Sequence, residues 1–126
     1  MPSCSMNRRD KSIFKKILKY CGDTLHAHQY FHEDKALFFN EEEGRIYRAA
    51  AAMDILQIGE LAKSLAPEAR RAHLDIPWAG IIKMREIFAH HYGDLNYDIV
   101  WDTLVNHVPA LAERVRRILE EETLND

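Results

Sequence analysis

The sequence predicts an all-α protein, an up-down bundle of about five helices. Three observations predict it. Apolar residues recur at helical spacing along most of the chain. No stretch alternates apolar and polar residues as a half-buried strand does. Helix punctuation falls between the periodic runs, at Asn40, Pro67, Pro77, Gly93, Asn96 and Pro109.

The first helix runs from Asp10 to about Phe31. Ile13, Ile17, Tyr20 and Thr24 share one flank, with Phe14, Leu18, Cys21, Leu25 and His28 beside them. Lys15, Lys16, Lys19, Asp23 and His26 take the other side, so the helix carries one broad apolar stripe. Phe38 and Phe39 close a loop or a single-turn helix. Asn40 followed by Glu41, Glu42 and Glu43 reads as an N-cap with acids in the first turn, where the helix dipole favours them. The helix so capped runs to about Leu65. Tyr47, Ala51, Ile55, Ile58, Ala62 and Leu65 form one apolar row; Ile46, Ala50, Met53 and Leu61 form a second. Two rows make this the central helix, buried on most sides. Pro67 ends it.

Pro77 sits at the first position of the next helix, where its missing N–H costs nothing, and Gly93 is that helix's natural C-cap. Asn96 caps a further helix whose buried side is Tyr97, Trp101, Leu104 and Val105. Pro109 starts or kinks a last helix bearing Leu111, Ala112, Val115, Ile118 and Leu119. One domain spans residues 1–126, with 1–9 and 121–126 expected as flexible ends.

Hydrophobic residues make up 47% and charged residues 29%, a globular balance that supports one core in a chain of 126 residues. The net charge of −3 argues against a protein that coats nucleic acid without specificity, yet allows a local grip on a few phosphates. No apolar run approaches the roughly 20 residues that span a bilayer. The first residues also lack the apolar segment of a signal peptide. A cytoplasmic protein with no membrane partner is expected. Cys4 and Cys21 are expected as free thiols, Cys21 packing on an apolar face.

The chemistry concentrates between Arg85 and Tyr92, which spell R-x-x-x-x-H-x-Y near the end of a helix. On a regular helix Arg85 and His90 are about 140° apart, whereas Arg85 and Tyr92 differ by only about 20°. Glu86 and His90 are four apart and within reach of each other. For Arg85 and His90 to act on one phosphate, the last turn must open or a partner subunit must complete the site. Read singly, Arg85 is equally a surface cation paired with Glu86 or another acid, His90 a polar helix-end residue, and Tyr92 a packing aromatic. Glu60 lies on a polar stripe with Gln57 and Ser64; it either supports Arg85 or is a solvated acid. His91 flanks the motif and is a candidate to line its cleft. Lys83 shares the His90 face and is the first basic residue to consider as a phosphate guide. Adjacent histidines on a helix point about 100° apart and chelate poorly. With no H-E-x-x-H and no cysteine pair at ligand spacing, neither a metal nor a cofactor is expected.

Five separated stretches carry more than any one of them. Ile58-Gly59-Glu60, Asp75-Ile76-Pro77-Trp78, Ile82-Lys83-Met84-Arg85, His90-His91-Tyr92 and Ile99-Val100-Trp101-Asp102 occur in order. Over about residues 45 to 120 the chain thereby resembles a HepT-type HEPN protein. The resemblance implies a HEPN fold and the toxin of a type VII-like toxin–antitoxin system. Such a toxin is a homodimeric, metal-independent endoribonuclease whose motif arginine and histidine, here Arg85 and His90, are catalytic. Its partner is a minimal nucleotidyltransferase antitoxin, which neutralises it by transferring AMP onto the motif tyrosine, here Tyr92. The position after the arginine is commonly Asn or Asp in that family; Glu86 occupies it here, a longer acid that either holds His90 or repels RNA phosphate. With RNA as substrate, His90 is the natural base or acid for attack by the ribose 2′-hydroxyl, and Arg85 stabilises charge on the phosphorane oxygens. The alternative is a HEPN module that binds nucleotide or protein without cutting RNA.

Overall fold

A computed structural model describes residues 6–90 and 94–125 of the chain. In order they form α1 (Arg8–Tyr30), α2 (Lys35–Phe39), α3 (Arg45–Ser64), α4 (Pro67–Arg71), α5 (Trp78–His90) and α6 (Tyr97–Asp102). A π-helical segment (Thr103–His107) then joins α6 without a break to α7 (Val108–Asn125). There is no strand among the described residues, and the fold is the all-α bundle expected. None of the helices is long and apolar enough to cross a membrane.

Helix α1 starts where a side chain can satisfy its open N–H groups: Asn7 Oδ1 accepts from the Asp10 N–H at 2.8 Å. Asp10 is itself buried, and its Oδ1 accepts from the Ala66 N–H at 3.2 Å. At the other end of α1, buried His28 meets the hydroxyl of Tyr47, which lies at the start of α3. The two contacts make α1 and α3 antiparallel. Between them Phe14, Ile17 and Cys21 pack on Ile55, Ile58 and Ala62 in one core. The far end of α7 returns to this start point, where Glu122 Oε1 accepts from the Met6 N–H at 3.0 Å. Residues 8–9 and 121–125 are helical.

The expectations for α3 need two corrections. Asn40 does cap, accepting from the Glu42 and Glu43 N–H groups, but it caps a turn. The helix waits until Arg45, with Gly44 as its N-cap. The carbonyls of Leu37 and Phe38 press so close on Gly44 that a Cβ there would overlap them. Arg48 ties this corner by donating to the Phe38, Asn40 and Glu41 carbonyls at 2.6, 2.6 and 2.9 Å. Nor is α3 buried on most sides. Its Tyr47–Leu65 row faces the core, whereas Ile46 and Met53 of the second row are exposed. Ala50 and Leu61 of that second row are half-buried, Leu61 packing on the edge of the core.

Past α3, Arg70 of α4 donates to the Ala62, Lys63 and Leu65 carbonyls, satisfying groups that a helix end leaves open. Trp78 then anchors the first residue of α5, its indole N–H shared between the Arg70 and His73 carbonyls. Near the C-terminus Pro109 is the second residue of α7, directly after the π segment, so it stands at the start of the last helix as its sequence position implied. In a regular α-helix its ring would press on the Val105 carbonyl; the π segment widens the turn instead, with the Val108 N–H reaching back to the Thr103 carbonyl. Val100 and Leu104 are fully buried, Tyr97 and Trp101 partly so, and Val105 is turned outward.

Candidate active site

The site begins with a glycine in mid-helix. Gly59 of α3 is buried, and a Cβ at this position would overlap the Cβ of Arg85 and stand 3.1 Å from the Ile81 carbonyl. Glycine in a helix interior costs about 1 kcal/mol relative to alanine. Here the missing side chain lets α5 lie directly on α3. The next residue, Glu60, is thereby brought against Arg85, whose Nε donates to Glu60 Oε1.

Arg85 is mostly covered, with 21% of its side chain exposed, and it has a second acid partner. Its Nη1 donates to Glu86 Oε1 at 3.2 Å. The same Oε1 accepts from Lys63 Nζ, on α3, at 3.4 Å. The other Glu86 oxygen faces His90 Nε2 at 3.6 Å, one helical turn on. Glu86 is thus the hub of the cluster, touching a guanidinium, an ammonium and an imidazole. The hydrogen bond and charge of Lys63, followed by the charges of Arg85 and His90, hold its carboxyl below its ordinary pKa. Of the expected alternatives for Glu60, the structure has the one in which it supports Arg85. It likewise has Glu86 reaching towards His90.

Arg85 and His90 do not touch each other. Helix α5 remains helical through His90, so the opening of its last turn is not seen up to that residue. Their link is Glu86. His90 itself is solvent-facing, with 70% of its side chain exposed, which leaves the imidazole accessible to a ligand. His91, Tyr92 and the C-cap Gly93 lie outside the described residues. Lys83 is exposed and lines a shallow groove with Ile87, Asn96 and Ile99; it is not brought to Arg85. Two residues of the cluster escaped the sequence reading of the site, each with a signal in the chain. Gly59 stands without a turn to make, and Lys63 is three residues past Glu60 on the same polar stripe.

Among the described residues no three His, Cys, Asp or Glu side chains gather to hold a metal ion. A separate cleft of about 310 Å³ opens between α5 and the π segment with α7. Its walls are apolar, among them Ile58, Ile76, Ile81, Met84, Val108 and Leu111, and none of the acid–base cluster lines it. Chemically, then, the cluster offers a bidentate cation fixed by acids, a second cation beside it and an accessible proton-transfer group.

The chain is 40% identical over 65 residues to a Caldanaerobacter subterraneus subsp. tengcongensis protein named for an inferred RNase activity, covering 52% of this chain and 58% of that one. It is 28% identical over 61 residues to a Thermococcus cleftensis protein named "Probable ribonuclease HepT", covering 48% and 56% respectively. A Methanocaldococcus jannaschii protein, also named for an inferred RNase activity, is 24% identical over 117 residues, 92% of this chain and 93% of that one. The chain spans little more than half the length of the first two relatives. No solved structure matches. Residues 25–118 match the family model described as ribonuclease HepT-like, which takes in α3, Gly59, Glu60, Lys63 and the whole Arg85–Tyr92 motif. The chain belongs to the HepT-like ribonuclease family.

Proposed function

We propose that this protein is the toxin of a type VII-like toxin–antitoxin system, a metal-independent endoribonuclease acting in the cytoplasm. The observation that carries the reading is the join of Arg85 to His90 through Glu86, which puts a phosphate-binding cation and a proton carrier in one charged cluster. RNA is cleaved by its own 2′-hydroxyl. A base removes that proton, the oxygen attacks phosphorus, and the 5′-oxygen leaves with a proton from an acid. His90 serves in proton transfer, and Arg85 stabilises the charge that grows on the phosphorane oxygens. General acid–base catalysis of this kind contributes about 10²–10⁴-fold, and a charge-stabilising donor about 10²–10³-fold.

The two residues are linked through Glu86 rather than in direct contact, which favours a homodimer in which each copy completes the other's site. Tyr92 is the point of control. A minimal nucleotidyltransferase antitoxin transfers AMP to its hydroxyl, forming a new phosphodiester and releasing pyrophosphate when ATP is the donor. The added phosphate is an anion, able to compete with RNA phosphate for a cation such as Arg85.

The test is incubation of cellular RNA with the purified chain in EDTA. Fragments ending in 2′,3′-cyclic phosphate are expected; intact RNA with a folded, unmodified sample contradicts the reading. One observation favours a second reading, a module that binds nucleotide or protein without cutting. Glu60 and Glu86 occupy two sides of the Arg85 guanidinium. That reading predicts binding with no cleavage in the same experiment.

A further inference from the structure

Oxygen Oε1 of Glu86 lies between two cations carried by different helices, Arg85 Nη1 at 3.2 Å and Lys63 Nζ at 3.4 Å. An anionic oxygen held by a guanidinium and an ammonium is the arrangement in which proteins hold phosphate oxygens. The occupant here is a side chain that can leave. Glu86 has 43% of its side chain exposed, and its second oxygen already faces His90 at 3.6 Å. The guanidinium would not be released by its departure, because Glu60 independently holds Arg85 Nε. Lys63, with 52% of its side chain exposed, is open to solvent and to a ligand arriving from it.

We propose that Lys63 and Arg85 form a two-cation seat for one RNA phosphate, filled in the free protein by Glu86. The incoming phosphate displaces the carboxylate, which turns to His90 and holds its imidazole. Lys63 is then a substrate-binding residue and Glu86 a positioning residue that doubles as a competitor. The seat deepens the ribonuclease reading and rests on it. It also gives the longer acid at this position a use: a shorter Asp would reach less far towards the Lys63 ammonium across the helix interface.

The seat is tested with an uncleavable oligoribonucleotide, 2′-O-methyl at every position, titrated against wild-type, Lys63→Gln, Lys63→Arg and Glu86→Gln proteins across a salt series. Loss of one phosphate contact lowers the slope of log affinity against log salt by about 0.7 for a single strand. Lys63→Gln is expected to show that loss together with weaker binding, and Lys63→Arg to restore both. Glu86→Gln, which weakens the competitor, is expected to bind more tightly than wild type and to lose part of that gain when combined with Lys63→Gln. An unchanged salt slope in Lys63→Gln, or weaker binding by Glu86→Gln, overturns the seat while wild-type cleavage upholds the ribonuclease. A wild-type chain that neither binds nor cuts RNA overturns the ribonuclease reading and the seat with it.

Discussion

At Glu86 one carboxylate meets three cationic or protonatable groups, and that single side chain decides how Arg85, Lys63 and His90 are related. The arrangement depends in turn on an atom that is absent, the Cβ of Gly59. Gly59→Ala forces α3 and α5 apart at Arg85 Cβ and the Ile81 carbonyl. Overpacking of a tight contact typically costs about 1–3 kcal/mol. Set against the roughly 1 kcal/mol that alanine gains over glycine in a helix, the substitution is expected to lower stability by up to about 2 kcal/mol in denaturant unfolding and to reduce cleavage by loosening the Glu60–Arg85 pair. Unchanged stability and activity would mean that the helices do not touch there. Much of the site was legible at this scale: the Arg85–Tyr92 spelling and the polar stripe through Glu60 are local patterns. Lys63 was not singled out, because its role comes from the crossing of two helices, and spacing along one helix carries no record of a crossing. For the same reason, sharing a face with His90 does not by itself bring Lys83 to Arg85.

At the level of elements, the junction of α1 with α3 carries a titration. His28 is buried against Tyr47, with Phe31, Phe38 and Trp101 around the pair and Glu33 Oε1 at 3.6 Å from its Nε2. Burial lowers the His28 pKa, Glu33 works against that, and the Tyr47 hydroxyl is pushed up to about 12 chiefly by burial. Burial and the charge of Arg114 lower His73 as well. An unfolded histidine takes its proton near pH 6.5, while these two resist it when folded, so the unfolded chain binds more protons below about that pH. Stability is therefore complete above pH 6.5 and is lost as the pH falls below it. Thermal unfolding followed from about pH 7.5 to 5 should show a falling midpoint. In His28→Gln the fall should be shallower; an identical profile in that variant would remove His28 from the account. The helices themselves were readable from periodicity, and Asn96 caps α6 as its spacing implied, whereas α5 starts one residue after Pro77, at Trp78. What periodicity missed has local causes. The close carbonyls at Gly44 delay α3, and in the π segment before Pro109 Leu104 is buried as expected while Val105 faces outward.

For the whole molecule the question is how many chains make one site. Arg85 and His90 are five residues apart on α5 and, among the described residues, are linked through Glu86 rather than in direct contact, which favours a site shared between two copies. Mixing the two inactive proteins Arg85→Ala and His90→Ala tests this. If one copy supplies the arginine and the other the histidine, mixed dimers regain one intact site, and about a quarter of wild-type activity returns in an equal random mixture. No return of activity would place the full set within each chain or require both histidines. The all-α class was readable because every long helix has its own apolar row. The up-down order already implied antiparallel neighbours, but the side chains that tie α1 to α3 were not legible, since contacts such as Asp10 with Ala66 join distant parts of the chain.

The measurement that bears most directly on the central claim compares RNA cleavage in EDTA by wild-type, Arg85→Ala and His90→Ala proteins, with circular dichroism on each. The account predicts a loss of at least about 100-fold in either variant with helical content unchanged. Wild-type cleavage that persists in both folded variants would contradict it.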